Sequence, residues 1–79
     1  MITIAEGRYI DPKDISLVVD VSKVGSKNYL NKLKEEGLLM DITGGNKARS
    51  YIITKQGYAL LTSLTAANCL KRIVCSRED

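Results

Sequence analysis

The chain has 79 residues, a formal net charge of +3 and 44% apolar residues, and its only aromatic residues are four tyrosines. That length bounds it to a single domain, residues 1–79, which buries only roughly 60% of its unfolded surface, so association between copies is one route to added stability. The charge permits an anionic partner without demanding one. The absence of His removes mixed Cys/His zinc sites and the commonest general base.

Ile2 to Ala5 alternates apolar and polar residues and predicts a strand, with a tight turn at Glu6-Gly7 and a second short strand over Arg8-Tyr9-Ile10. Asp11-Pro12-Lys13 reads as a turn, because Pro12 has no N–H for a sheet ladder. In DISLVVDV, Asp14 to Val21, period two places Ile15, Leu17, Val19 and Val21 on one face. Ser16, Val18 and Asp20 fall on the other, as in a half-buried strand.

The period then changes. SKNYLNKLKEE, Ser26 to Glu36, carries Tyr29, Leu30 and Leu33 on one helical face and Lys27, Asn31, Lys34 and Glu35 on the other. Ser26 is placed to be the N-cap and Gly37 the left-handed C-cap of an amphipathic helix. Leu38 to Thr43 and Ser50 to Thr54 predict two strands joined as a hairpin by the loop Gly44 to Arg49. A turn at Lys55-Gln56-Gly57 leads to a further strand over Tyr58 to Leu64. Thr65 can cap a short helix, Ala66 to Ile73, with Ala66, Cys69, Leu70 and Ile73 inward, and residues 74–79 read as a frayed tail. The fold class is therefore α+β: a small, largely antiparallel sheet with one amphipathic helix in mid-chain and a short helix at the C-terminus.

No apolar stretch approaches the ~20 residues of a membrane span, and MITIAEGRYI lacks the features of a secretion signal, which predicts a cytoplasmic protein. Cys69 and Cys75 lack metal-binding spacing, and a cytoplasm keeps thiols reduced, so they are expected to be unpaired. No nucleophile elbow or phosphate-binding Walker loop is present, and no cleft gathers the acidic residues of the sequence. The reading is a protein that is not an enzyme, with no cofactor, no metal and no small-molecule substrate.

TGGNKARSYIIT, residues 43–54, carries the functional signal. Gly44 and Gly45 give a loop its geometry and allow close approach to another backbone. Asn46, Lys47 and Arg49 supply donors, and Arg49 can fork two bonds to a phosphate or a guanine edge. Lys23 and Lys27 lie at the start of the helix, where the dipole also favours an anion. Lys47 and Arg49 lead as DNA-backbone contacts, followed by Asn46, then Gly44 and Gly45 for geometry, then Lys23 and Lys27.

Two resemblances are present. Residues 29–57 resemble the recognition helix and wing of a winged-helix DNA-binding domain, an alternative that needs two further helices upstream. Over residues 2–73 the chain resembles the RemA family of bacterial extracellular-matrix gene regulators. The matches are Ile2, Ile4 and Gly7; the strand Ile15 to Val19; Lys27; Gly37, Leu39, Asp41, Thr43 and Gly45; Arg49, Ile52 and Ile53; and Arg72. This resemblance implies a non-enzymatic regulator that binds double-stranded DNA and assembles with itself into a ring. It implies DNA-contacting positions in the loop, held here by Asn46 and Lys47, and one before the Ile-rich strand, held here by Asp14. A second alternative is a structural or assembly module of the same fold without DNA binding.

Overall fold

The structure, a computed structural model, describes residues 2–5 and 7–76. Two short strands open the chain, β1 (Ile2–Ala5) and β2 (Arg8–Ile10), paired antiparallel as a ribbon of their own. Asp11 then accepts a bond from Lys13 N–H at 3.0 Å and caps a single 3-10 turn, Pro12–Asp14. There follow β3 (Ile15–Asp20), α1 (Ser26–Glu35), β4 (Leu39–Asp41), β5 (Ser50–Thr54), β6 (Ala59–Thr62) and α2 (Ala66–Ser76). The order of strands and helices is the one expected. The Glu6 half of the first turn and residues 77–79 of the tail lie outside the described residues.

The four-stranded sheet has the order β3-β5-β6-β4. β5 is antiparallel to β3 and to β6, while β4 runs parallel to β6. This corrects the expected hairpin: β4 and β5 are not neighbours, because β6 lies between them. The reason is burial. Every residue of β5 except Ile53 is buried, so β5 must be a central strand with a full-length partner on each side. The short β4, with Met40 and Asp41 exposed, suits an edge. The connection from β4 to β5 therefore runs across the end of β6.

A second correction concerns β3. Ile15 pairs with Thr54 but Leu17 pairs with Ile53, a bulge at Ser16. The irregularity puts Ile15 and Val18 together on the face of Ile52, where both pack on the core. Leu17 is turned to the opposite face and stays 54% exposed. Strict alternation placed Leu17 inside and Val18 outside.

The core lies on one face of the sheet, where Ile2, Ile4 and Ile10 of the ribbon and Cys69 and Ile73 of α2 close over Ile52 and Leu60. Among the described residues the ribbon forms a sheet of its own, with no backbone ladder to the main sheet. Side chains attach it instead: Thr62 Oγ1 donates to Ile4 O at 2.7 Å, and Arg72 Nη1 donates to Thr3 O at 2.6 Å. α1 covers the other face through buried Leu33 and a tilted ring contact between Tyr29 and Tyr51, centroids 6.1 Å apart.

Both helices differ from expectation at their ends. Ser26 is not a cap. It is the first helical residue, it is buried, and its Oγ bonds Asp20 O at 3.3 Å and pairs with Tyr51 Oη at 3.2 Å. The C-terminus of α1 is as expected: Gly37 sits at φ 73°, with Leu38 N–H donating to Leu33 O and Gly37 N–H to Lys34 O. In α2, Thr65 Oγ1 accepts from Asn68 N–H at 3.2 Å, the expected cap. The helix continues to Ser76, so Val74 to Ser76 are helical rather than frayed; no Gly or Pro interrupts them. Leu70, expected inward, is exposed, and with Val74 it forms an outer i, i+4 pair.

Candidate nucleic-acid interface

β3, β4 and β6 all point the same way, so Asp20, Asp41 and Thr62 reach one edge of the sheet together, where β5 begins at Ser50. Three connections meet there: the turn 21–25 into α1, the loop 42–49 and the link 63–65 into α2. Both helices thus start at this edge, with the positive ends of their dipoles.

The loop is built from its own polar groups. Asp41 Oδ1 accepts from Thr43 N–H at 2.9 Å and from Thr43 Oγ1 at 2.7 Å. These two bonds hold the exposed Asp41 carboxyl below its ordinary pKa, the backbone bond foremost. Thr43 O in turn accepts from Asn46 N–H at 3.2 Å and Asn46 Nδ2 at 3.0 Å. Between them Gly44 and Gly45 take φ of 65° and 89°. A β-carbon at either would meet nothing within 4 Å. Within the chain, then, glycine is required by the left-handed backbone rather than by crowding.

The far side of the loop is clamped. Arg49 N–H donates to Thr62 O at 2.9 Å, and Val21 N–H donates to Arg49 O at 3.1 Å. Arg49 is thereby fixed between the ends of β3 and β6, while its side chain and that of Lys47 are exposed. Among the described residues neither cation has an ion-pair partner. The two line an open cleft of about 290 Å³ together with Asp20, Ser22 and Thr65. Asp20 Oδ1 accepts from Ser22 N–H at 2.9 Å and from Ser22 Oγ at 2.8 Å. Those bonds, the backbone one foremost, also hold Asp20 below the ordinary carboxylate pKa.

The expected residues are therefore sorted. Lys47 and Arg49 are brought together. Gly44 and Gly45 shape their loop. Asn46 folds back on Thr43, so its amide braces the loop. Lys23 is exposed in the turn that contains Ser22, with its N–H donating to Asp20 O at 3.1 Å. Lys27 is separate: it lines a different groove with Leu30, Lys34, Leu39 and Asp41. Asp14 sits at the opposite end of β3, its carbonyl accepting from Lys55 N–H at 2.8 Å. At about 3.3 Å per residue, the six steps from Asp14 to Asp20 put it roughly 20 Å from the loop. Ser22 and Thr65 were not anticipated. The pattern Asp-x-Ser/Thr closing a strand, at Asp20 and again at Asp41, was the available signal for Ser22.

The winged-helix alternative is overturned. Among the described residues a single α-helix precedes residue 38, and β4 and β5 form no wing. Cys69 and Cys75 are both unpaired. Cys69 is buried, which pushes its thiol pKa up, and its Sγ lies 3.7 Å from Ser50 Oγ. Among the described residues no helix is long and apolar enough to cross a membrane.

A small α+β domain with a clamped basic loop at one sheet edge is the class that the geometry defines. Residues 1–73 match the RemA-like family, described as Extracellular matrix regulatory protein A-like, and the chain belongs to that family. Relatives bearing the name "Putative regulatory protein" span the whole domain. One from Caldicellulosiruptor saccharolyticus is 24% identical over 79 residues, covering all of this chain and 78% of its own. One from Thermodesulfovibrio yellowstonii is 30% identical over 73 residues, covering 92% of this chain and 86% of its own. One from Nitratidesulfovibrio vulgaris is 23% identical over 79 residues, covering all of this chain and 92% of its own.

Proposed function

We propose that this chain is a non-enzymatic, DNA-binding transcriptional regulator of the bacterial cytoplasm. In this reading it acts as a ring-like homo-oligomer that presents loop 44–49 to the phosphate backbone of double-stranded DNA. The observation that carries the reading is the pair Lys47 and Arg49: exposed, without ion-pair partners among the described residues, and rooted in a loop whose backbone is fixed at both ends. Family membership and the regulatory names of the relatives support it. Assembly is supported by the exposed apolar side chains Leu17, Val24, Tyr29, Met40, Leu70 and Val74, many for so small a domain. Two cations per copy hold DNA weakly, and several copies on one duplex multiply that hold through effective concentration.

The test pairs binding with mass. Lys47→Ala with Arg49→Ala should leave the circular dichroism spectrum and the light-scattering mass unchanged. Affinity for a long duplex at low salt should fall on the order of ten-fold or more, and the slope of log affinity against log salt should shrink by about 0.9 per lost phosphate contact. Undiminished affinity in the folded double variant would overturn the assignment. A wild-type oligomer with no affinity at low salt would identify an assembly module instead.

A further inference from the structure

The cleft beside loop 44–49 has a feature that simple backbone attraction does not require: a carboxylate in the same lining as two cations. Lys47, Arg49 and Asp20 all line it. Asp20 forms no ion pair among the described residues; both of its hydrogen bonds go to Ser22, through Oδ1, and Oδ2 is left open. The bond from Val21 N–H to Arg49 O ties the clamped backbone of Arg49 to the hydrogen-bonded turn at Asp20. Thr65, also in the lining, accepts from Asn68 N–H through Oγ1, which leaves its own hydroxyl hydrogen available to a ligand. The result is a concave seat with two cationic donors, a hydroxyl donor and one fixed negative charge.

We propose that this cleft seats one phosphodiester group, with Lys47, Arg49 and the Thr65 hydroxyl as its donors, and that Asp20 biases the seat toward singly charged phosphates. The physical basis is the charge of the ligand. Repulsion from a fixed carboxylate grows in proportion to ligand charge, so a phosphate dianion meets twice the penalty that a diester meets, and it also gives up more hydration on entering. The lining as a whole carries two positive charges and one negative, which suits a single negative charge. The proposal rests on the DNA-binding reading for its natural occupant, the duplex backbone. A free phosphodiester ligand presents the same chemistry.

Amide spectra of the intact ¹⁵N-labelled chain test the proposal and separate it from that reading. The probes are the dinucleotide TpT, whose one phosphate is a diester, inorganic phosphate at about pH 8, where it is chiefly a dianion, and a short duplex. TpT should move the amides of Ser22, Ala48 and Thr65 saturably, and the duplex should move the same set. Asp20→Asn retains an oxygen to accept from Ser22, so the turn and the spectrum should survive. It should tighten TpT on the order of three-fold and inorganic phosphate by about the square of that factor, as expected for one charge at roughly 6 Å in water. Shifts with TpT but none with the duplex would keep the seat, assign it to a free diester and end the DNA reading. Duplex binding with these three amides unmoved would end the seat and keep the DNA reading. Silence to all three probes would overturn both. An equal effect of Asp20→Asn on diester and dianion would overturn the role given to Asp20.

Discussion

The two faces of the four-stranded sheet are made from the same short strands and end in different states. On one, Ile52, Ser50, Thr54 and Thr62 are all nearly or wholly sealed, because the chain has both the β1–β2 ribbon and α2 to lay over them. On the other, among the described residues, α1 provides the cover. It buries Tyr51 and Leu33 and leaves Leu17 and Tyr29 substantially exposed. A domain of this size can finish one face from its own residues. The second face keeps part of its apolar surface exposed.

The largest effect should come from the sealed face. Ile52→Ala removes a fully buried side chain and should cost about 2–5 kcal/mol in urea unfolding. Leu17→Ala on the open face should cost less than about 1 kcal/mol and act on the light-scattering mass instead. Equal destabilisation by the two would erase the contrast between faces.

Next is Thr62→Val. It strands Ile4 O and the N–H of Leu64, both served by the Thr62 hydroxyl, and should cost about 1–3 kcal/mol. Because Thr62 holds the ribbon down, hydrogen exchange should rise first at β1 and β2. Uniform exchange across the sheet would contradict that role.

Thiol chemistry sharpens the comparison further. Cys75, exposed, should react rapidly with a thiol reagent, and Cys69 only on unfolding. The folded pKa of Cys69 is raised, so its contribution to stability is complete below the ordinary value of 9.0 and is lost as pH rises beyond it. A stability curve flat through that alkaline range would remove Cys69 from the sealed face.

The smallest effect belongs to the sheet edge. Asp20 and Asp41 have lowered folded pKa values, so each contributes stability above about 3.8 that is lost as pH falls through the lowered folded value. Asp41→Asn should flatten that acid limb slightly in urea midpoints measured against pH.

Much of this was legible from local pattern. The boundaries of β5, the ribbon, the Schellman close at Gly37 and the Thr65 cap all follow from residues within one turn or one strand of each other. What escaped the sequence was set by distant partners. Ser26 looks like a cap until Tyr51, 25 residues away, takes its hydroxyl. Leu17 looks buried until pairing with β5 places a bulge at Ser16. The β4–β5 hairpin looks natural until β6 inserts between the two strands. The basic pair Lys47 and Arg49 was readable as charge, whereas the cleft they line depends on the turn that follows β3 and on the start of α2.

The insertion of β6 also fixes an order of events as the chain leaves the ribosome. Until Ala59 to Thr62 emerge, β4 has no strand to join, β5 lacks one neighbour, and the carbonyl of Thr62 that anchors Arg49 does not yet exist. Pairing a strand with one that lies across an intervening segment is a slow step, since the loop must close before its contacts repay it. The clamp on Arg49 therefore closes late, only after Thr62 has been synthesised. Unfinished chains would carry the same lysine and arginine without the clamp that aims them.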